Sequence, residues 1–395
     1  MLIVERQGSR ESTRSYASWK GGVLTNDLRK GKRMTQREQQ ILKWIEENPM
    51  ISQQELADKA GITRSSVAVH ISNLMKKGLI AGKGYVVQTE PYVVVIGGLN
   101  KDIGGMPFNK LIGKDSNPGK VNISVGGVGR NIAHNMSLLD IKVKFLTALG
   151  DDEFTETVAD SCNQLGIDIS HALKVHGMST ATYLFVADES GDMEIAISDM
   201  EIFNYVTPEY LEKNLSMINR AKLVMVDTNI PEESLNWLGE NCEAPIFVDP
   251  VSTTKALKLK KCLNKIHTLK PNKLEAEILS GVEIVDDETL KEAAQKLIDI
   301  GVKRVFISLG GDGVFAASGG DFVKLPCMKA NLVNTTGGGD AFMAGVSWAY
   351  LHDCGLADSA KIGNGAAAIA VESVETINSK LSIDAVAKKA DIRIS

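Results

Sequence analysis

From Tyr92 onward the chain alternates short apolar runs with segments of helical periodicity, and this alternation limits the possible folds more than any other feature. Each apolar run has the length of a strand, and the segments between the runs leave room for crossover helices. This order is typical of βαβ units, in which helices cover both faces of a mainly parallel sheet. We therefore predict an α/β body with strands at 92–98, 142–150, 221–227, 244–250, 267–272 and 304–310, and helices at 130–139, 153–165, 274–280 and 290–300.

Two stretches depart from this order, because polar and apolar residues alternate in them. They span residues 119–127 and 180–199, and the second contains a predicted turn at 189–192. Such alternation predicts a small antiparallel sheet with one exposed face. An open α/β sheet binds its ligand beyond the carboxyl ends of its strands, so a sheet that projects there would act as a lid. We expect the lid at about residues 104–126 and 179–200.

Residues 34–88 show another order, in which three helical segments precede a predicted hairpin. Ser52 and Glu55 have capping-box spacing at the start of the second helix, and Thr63 is the predicted N-cap of the third. The segment resembles the winged helix-turn-helix modules of bacterial regulators in the AsnC, MarR and biotin-repressor families. The apolar residues that share a face in the first and third helices are Ile41, Leu42, Ile45, Val67, Ile71 and Leu74.

The charge of the chain is unevenly distributed between these two parts. Residues 1–88 contain 15 Lys and Arg against 8 Asp and Glu, whereas the remainder contains 29 against 41. Basic and short polar residues on the third helix and the wing favour contact with double-stranded DNA. The alternative is that this small domain mediates dimerisation or packs on the body. The candidate DNA-binding residues are Arg64, Ser65, Ser66, His70, Lys76 and Lys83, and we also expect Lys77 at the phosphates.

Other general features exclude several classes of protein. The five cysteines are scattered without a Cys-x-x-Cys pair, which favours reduced thiols over a disulfide framework or a zinc site. The apolar runs are too short to span a membrane, and residues 1–33 lack the apolar core of a signal peptide. We interpret residues 1–33 as a disordered extension or an artefact of an early start codon. We expect a cytoplasmic protein with no membrane partner.

The stretch NTTGGGDAF at residues 334–342 places three glycines before an aspartate at the start of a helical segment. The first turn of a helix has unpaired N–H groups and the positive end of the helix dipole, so it binds anions. Glycines allow phosphate oxygens to approach that backbone closely. Asp340 would then accept a proton from a hydroxyl group that attacks the phosphate. The alternative is a glycine-rich turn in which Asp340 only caps the helix.

Two other stretches combine glycines with polar residues. SVGGVGRNIAHN at residues 124–135 is not a dinucleotide-binding fingerprint, because Asn131 and Ile132 stand where the third glycine belongs. Its glycines instead allow close approach of a ligand, with Asn131 as donor and acceptor. In GGLNKDIGG, which follows the first strand, Asn100 and Asp102 lie where a polyhydroxyl ligand would enter, although Asn and Asp also favour turns.

With these motifs the body, residues 91–390, resembles the ribokinase-like (PfkB) carbohydrate kinases. The family element Gly-Gly-x-Gly-x-Asn lies at 126–131, and NTTGGGD corresponds to the family element Asp-Thr-x-Gly-Ala-Gly-Asp. The family motif Asn-x-x-Glu lies at 272–275, and SLGGDGVF at 308–315 corresponds to the nucleotide loop. The resemblance implies a three-layer ribokinase-like fold, a small lid sheet, and phosphate transfer from ATP to an alcohol.

The resemblance also implies a role for each matching residue. Asp340 would be the catalytic base, and the N–H groups of Gly337, Gly338 and Gly339 would surround the transferred phosphoryl group. Glu275 would organise Mg²⁺ indirectly, through water. The implied ATP-binding residues are Asn272, Glu275, Ser308, Gly310, Gly313 and Asn364, and the implied substrate-binding residues are Asn100, Asp102, Gly127 and Asn131.

Two residues depart from the family pattern. Asn334 replaces the first aspartate, which in potassium-activated members helps to hold a monovalent cation, so activation by such a cation is in doubt. Gly338 replaces the alanine and keeps the N–H group that the anion site needs.

Further stretches such as IHTLKPNKLEAEILSG resemble the members of the family that act on ribonucleosides, and they imply pseudouridine as the substrate. The implied reaction phosphorylates the 5′-hydroxyl with ATP and Mg²⁺, and the base would lie against the lid near Lys120, Ser198 or Asp199. The alternatives are another nucleoside, a free sugar, or a transcription regulator whose kinase-like body only senses a ligand. Because helix-turn-helix proteins bind paired half-sites, we expect a homodimer.

Overall fold

The computed structural model describes residues 34–80, 90–189 and 192–393. Contacts divide the chain after Glu90 into two units, which we call the head (residues 1–90) and the body (residues 91–395) and describe separately. The predicted extension at 1–33, most of the predicted wing and Lys83 lie outside the described residues.

Within residues 34–80 the head contains three short helices, and two of them begin with a capping box. They are α1 (Gln36–Glu47), α2 (Gln53–Ala60) and α3 (Arg64–Lys76). In α2 the Ser52 side chain accepts from the N–H of Glu55, whose carboxylate in turn accepts from the N–H of Ser52, as predicted. Thr63 caps α3, also as predicted. The predicted apolar faces form the core of the head, where Ile41, Ile45, Leu56, Val67 and Leu74 are completely buried.

The strands and helices of the body follow the predicted alternation. The strands are β1 (Val93–Ile96), β2 (Asn100–Pro107), β3 (Gly119–Gly126), β4 (Val143–Leu146), β5 (Ala148–Leu149), β6 (Leu173–Lys174), β7 (Thr182–Ala187), β8 (Met193–Asp199), β9 (Val224–Asp227), β10 (Ile246–Asp249), β11 (Thr268–Leu269), β12 (Arg304–Ser308), β13 (Val314–Ser318) and β14 (Asp321–Leu325). The helices are α4 (Val128–Leu138), α5 (Phe154–Gln164), α6 (Pro208–Asn219), α7 (Glu232–Asn241), α8 (Thr253–Ala256), α9 (Lys273–Ser280), α10 (Asp287–Ile300), α11 (Gly338–Leu351), α12 (Leu356–Ala370) and α13 (Ile383–Ala390).

Eight strands form the main sheet, in the order β14-β13-β12-β11-β10-β9-β1-β4. The pairs from β12 to β4 are parallel, and β13 and β14 add an antiparallel edge that the sequence analysis did not predict. Both faces of the sheet are buried: Val94 and Ile96 of β1 pack in one apolar cluster, and Val93 and Val95 pack in another. The burial of both faces confirms the three-layer α/β architecture. It also explains why these strands are apolar along their whole length.

A separate four-stranded sheet, β3-β2-β7-β8, corresponds to the predicted lid, and we call it the lid sheet. Strand β2 pairs antiparallel with β3 and parallel with β7, and β7 pairs antiparallel with β8. The sequence NKDIGGMP of β2 lacks strict alternation and contains two glycines, and the sequence analysis noted that Asn100 and Asp102 also favour turns. They lie in a strand instead, because pairing on both sides overrides the weak local preference.

One negative finding concerns membranes. Among the helices of the described residues, none is both long and apolar enough to cross a bilayer.

Candidate active site

The predicted glycine-rich turn lies directly before α11. Gly337 adopts a left-handed conformation with φ of 83°, and a Cβ there would lie 2.1 Å from the carbonyl oxygen of Thr376. Among the described residues, no side chain caps the start of this helix. The first turn of α11 therefore presents backbone N–H groups without a side-chain acceptor, as an anion site requires.

Asp340 lies in that first turn and is half-buried. Its carboxylate accepts a hydrogen bond of 3.1 Å from Nδ2 of Asn131 at the start of α4. Burial, together with the negative charge of Asp249, raises the pKa of Asp340 to about 7, against the opposing effects of Lys270 and Asn131. A carboxylate with a pKa near neutrality accepts a proton from a hydroxyl group more effectively than an ordinary aspartate.

Lys270 and Asp249 complete the immediate surroundings of Asp340, and the sequence analysis named neither of them. They lie just after β11 and at the end of β10, and Nζ of Lys270 is 3.1 Å from Oδ2 of Asp249. Both side chains are about 8% exposed. A Cβ at Gly339 would lie 3.2 Å from Nζ of Lys270, so the ammonium group lies beside the glycine turn.

The charge of this lysine is stabilised by its neighbours. Burial alone lowers the pKa of Lys270, but the carboxylates of Asp249, Glu275 and Asp340 reverse this effect and raise it. A lysine that stays protonated beside an anion-binding helix start is suited to contact a phosphate. One signal could have found both residues: each follows an apolar strand of the parallel sheet, at the edge where such folds bind ligands.

Asp227, at the end of β9, is a third residue that the sequence analysis missed. It is completely buried, and its Oδ2 accepts hydrogen bonds of 2.8 Å from the N–H groups of both Gly98 and Gly129. Its Oδ1 accepts from the N–H of Asn229 at 2.9 Å. Burial raises the pKa of Asp227, against these hydrogen bonds. The carboxylate joins the turn after β1 to the start of α4 and thereby positions Asn131.

The four predicted substrate-binding residues fall into two groups. Asn131 contacts Asp340 directly, and Gly127 begins the same helix with φ of 100°. Asn100 and Asp102 lie on β2, where Nδ2 of Asn100 donates to Oδ1 of Asp102. Burial raises the pKa of Asp102, and Asn100 and the Arg130 guanidinium oppose this.

Asn272 and Glu275, the predicted Mg²⁺ and phosphate residues, form a capping box at the start of α9. The N–H of Asn272 donates to Glu275 at 2.8 Å, and the N–H of Glu275 donates to Oδ1 of Asn272 at 2.9 Å. Glu275 is only 3% exposed, and burial raises its pKa. The motif therefore has a structural function at the start of α9, and its role toward Mg²⁺ and phosphate stays a prediction.

The other predicted ATP-binding residues lie near one another along the β12 side of the sheet. The N–H of Ser308 donates to the carbonyl oxygen of Pro271, directly before Asn272. Gly310 and Gly313 lie in the turn between β12 and β13. Asn364 of α12 is buried, and its Nδ2 donates to the carbonyl oxygen of Pro326 at 2.7 Å. Asn364 thus holds the segment that follows β14.

The candidate DNA-binding residues on α3 differ in how free they are to contact a ligand. Arg64 and Lys76 are exposed, and His70 is half-buried. The hydroxyl oxygens of Ser65 and Ser66 both lie 2.9 Å from Oγ1 of Thr63, so they are engaged at the helix start. We expected Lys77 to contact phosphates. In the structure its ammonium group instead forms a 2.8 Å ion pair with Glu38, whose side chain is 2% exposed.

Comparison with known proteins shows the family to which the body belongs. Residues 90–383 match the model of the pfkB family carbohydrate kinases. The chain belongs to this family. It is therefore a phosphotransferase that acts on an alcohol group of a sugar or nucleoside. Residues 34–81 match a winged helix-turn-helix DNA-binding model, in agreement with the predicted head.

Three similar proteins are informative. Over 300 residues the chain is 41% identical to the pseudouridine kinase of Escherichia coli (strain K12), across 75% of this chain and 96% of that enzyme. Over 353 residues it is 38% identical to an uncharacterized sugar kinase, YeiI, of the same strain, across 89% of this chain and 98% of that protein. The fold matches that of Arabidopsis thaliana ribokinase complexed with ribose and ATP (TM-score 0.69, 21% identity, 77% of this chain and 100% of that chain).

Proposed function

We propose that the protein phosphorylates the 5′-hydroxyl of a ribonucleoside with ATP, and that pseudouridine is the preferred substrate. The observation that carries the proposal is the placement of Asp340, which lies in the first turn of an open helix start and contacts Asn131. The 41% identity to a pseudouridine kinase supports the choice of substrate.

In the proposed reaction Asp340 accepts the proton of the 5′-hydroxyl. The hydroxyl oxygen forms a bond to the γ-phosphorus of ATP, the bond from that phosphorus to the β,γ-bridging oxygen breaks, and ADP leaves. The N–H groups of Gly338 and Gly339 and the ammonium group of Lys270 would contact the transferred phosphoryl group. Positioning and charge stabilisation of this kind contribute most of the catalysis in phosphoryl transfer.

Kinases of this family use ATP with a divalent metal, and the residues present fit Mg²⁺ that arrives with the nucleotide. Within the described residues, no group of three or more acidic, histidine or cysteine side chains could hold a metal by itself. Asp249 and Glu275 raise the local negative charge, and Mg²⁺ commonly binds through phosphates, waters and one or two carboxylates. Bound there, it would neutralise charge on the phosphates.

A monovalent cation is not required in this proposal. Asn334 accepts a 2.9 Å hydrogen bond from the N–H of Thr336, and its Nδ2 donates to the carbonyl oxygen of Val374 at 3.0 Å. The amide thus joins the loop before α11 to the segment after α12 through its own two hydrogen bonds.

The first experiment measures ATP consumption with pseudouridine, uridine, cytidine, inosine, adenosine, ribose and fructose. Turnover of pseudouridine that is lost in Asp340→Asn but kept in Asp321→Asn, an exposed carboxylate on β14, would support the proposal. Turnover of another compound in place of pseudouridine would be consistent with the proposed mechanism but would contradict pseudouridine as the preferred substrate. Tight nucleoside binding without any turnover would favour the ligand-sensing regulator.

We also propose that the head binds double-stranded DNA. Arg64 and Lys76 are exposed on α3. The match of residues 34–81 to a winged helix-turn-helix DNA-binding model supports DNA as the ligand of the head. Arg64→Ala should weaken binding to genomic DNA fragments in a mobility-shift assay, whereas Lys43→Ala on α1 should not. Equal effects of the two substitutions would contradict a role for α3. The fusion of the two domains also suggests that ligand binding in the body changes DNA binding by the head. An affinity for the DNA fragments that nucleoside and ATP together leave unchanged would exclude such coupling.

The proposed homodimer has a candidate surface on the lid sheet. One face of this sheet carries exposed aliphatic residues in register across its strands: Val121, Ile123, Leu184, Ile195 and Ile197. Monomeric proteins rarely expose so continuous an apolar patch, and a two-fold axis would pack this face against its copy.

In analytical ultracentrifugation, Ile195→Lys should convert the dimer to a monomer. Val285→Lys, at an exposed valine elsewhere, is the control, and a dimer that survives Ile195→Lys would contradict the assignment.

A further inference from the structure

The face of the lid sheet that carries Asp102 differs from the aliphatic one. In the register of the sheet, Asp102 pairs with Tyr183 on β7, and Tyr183 pairs with Ser198 on β8. Paired residues share a face, and residues two apart on a strand share it as well. Phe185 therefore lies on the same face as Asp102 and Tyr183.

Two aromatic rings are held in place on this face. A Cβ at Gly104 of β2 would lie 2.5 Å from Cζ of Phe185, so the ring packs directly on the backbone where a side chain is missing. The ring centroids of Tyr183 and Phe185 are 6.1 Å apart, with an angle of 37° between the planes. The hydroxyl of Tyr183 donates to Sδ of Met193 at 3.2 Å, which ties this ring to β8. Both aromatic side chains remain half-buried.

The position of the reacting hydroxyl determines which part of a substrate would meet these rings. A ribose with its 5′-hydroxyl at Asp340 and its 2′- and 3′-hydroxyls at Asp102 has C1′ beside C2′, on the side of the ring away from C5′. The substituent on C1′ would then extend past Asp102 toward one of the two adjacent strands, β3 or β7, each about 5 Å away. On this face β3 carries the small polar residues Ser124 and Asn122, so β7 is the neighbour that offers an apolar surface to a planar base. Tyr183 and Phe185 lie there.

We propose that Tyr183 and Phe185 form a platform on which the base of the nucleoside stacks. This inference rests on the proposed function and extends it, because a free sugar carries only a hydroxyl at C1′ and gains nothing from such a platform. Ser198 lies beside Tyr183 on the same face and is placed to bond the edge of the base. Asp199 pairs with Thr182 and lies on the opposite face, so it is no longer a candidate for the base.

The test compares nucleoside and free sugar in variants of the full-length protein. In Phe185→Leu the KM for pseudouridine should rise about tenfold, since stacking of a base on an aromatic ring contributes strongly to binding. The kcat at saturation, the KM for ATP and any turnover of ribose should stay within twofold. Phe185→Tyr, which keeps a ring, should retain the original KM. Phe322→Leu, on the far edge strand β14, controls for loss of an aromatic residue.

The outcomes separate the platform from the proposed function. A KM for pseudouridine that changes by less than twofold in both Phe185→Leu and Tyr183→Leu would overturn the platform and leave the nucleoside kinase standing. An equal loss with ribose would overturn it as well, because the rings would then act on the sugar or the fold. Turnover of ribose alone by the unmodified protein would reject the proposed function, and the platform with it. If Phe185→Leu fails to fold, Tyr183→Leu supplies the same measurement from the second ring.

Discussion

The starts of α4 and α11 carry the same sequence signal, yet the structure uses them differently. Each helix follows a glycine with positive φ, Gly127 at 100° and Gly337 at 83°. At α4 the acceptor is a carboxylate of the protein itself, since buried Asp227 accepts a hydrogen bond from the N–H of Gly129 in the first turn. At α11 no side chain among the described residues takes that place, and Asp340 lies beside the open N–H groups. A helix start occupied by a carboxylate of the protein is structural, whereas an open one is available for phosphate.

The largest effect is expected from Asp340→Asn. The amide keeps the shape of the side chain but cannot accept a proton, and a positioned base contributes about 10²–10⁴-fold to rate. The kcat should fall by that factor with little change in KM, measured by coupled ATP consumption. A loss that appeared only in KM would mean that Asp340 binds the substrate and is not its base.

Lys270→Met should lower kcat by about 10²–10³-fold, if the ammonium group contacts the transferred phosphoryl group.

Because Lys270 lowers the pKa of Asp340, removal of Lys270 should also shift the dependence of kcat on pH. The base acts when deprotonated, so the unmodified enzyme should lose activity as the pH falls through about 7. In the variant this loss should begin at a higher pH. Lys270→Arg, which keeps the charge, should retain the original pH profile; an unshifted profile in Lys270→Met would exclude electrostatic coupling to Asp340.

At the occupied helix start the expected effect is on stability. Asp227→Asn replaces one carboxylate oxygen by a donor that faces N–H groups, and a buried group left unsatisfied costs about 1–3 kcal/mol. The free energy of unfolding, measured with urea, should fall by that amount. Asp340→Asn should not lower it, because burial already disfavours the ionised carboxylate of Asp340 in the folded state. Similar stability losses at the two positions would remove the distinction between the two helix starts.

The dependence of stability on pH provides a smaller and separate test. The pKa of Asp340 is raised from 3.8 to about 7, so between these values the folded state holds a proton that the unfolded state releases. Asp340 should therefore contribute stability at low pH that is lost as the pH rises toward 7. Asp340→Asn should flatten this part of the curve of unfolding free energy against pH, and an unchanged slope would contradict the raised pKa.

The smallest effect concerns Asn334. Because its amide already joins Thr336 and Val374, the enzyme should show less than twofold activation by potassium. Asn334→Asp removes the donor to Val374 and adds a charge, so it should introduce a response to potassium chloride that sodium chloride does not reproduce. Strong activation of the unmodified enzyme would contradict the structural role of the amide.

The sequence by itself determined the elements whose signals are local. The apolar runs at 92–98 and 221–227 became buried parallel strands because a strand covered on both faces must be apolar along its whole length. Ser52 with Glu55 began α2 because a capping box satisfies N–H groups within four residues. The glycines before Asp340 predicted a helix start at this position for the same local reason, and α11 begins there.

Only the tertiary structure decided which residues complete the site. Lys270 and Asp249 follow separate strands, and parallel pairing of β10 and β11 brings them together beside Gly339. Asp227 reaches Gly129 across 98 positions of sequence. Strand β2 also formed against its weak local preference, because it gains hydrogen bonds from partners on both sides. Local pattern fixes the conformation of short segments, whereas contacts between distant strand ends depend on the register and order of the whole sheet.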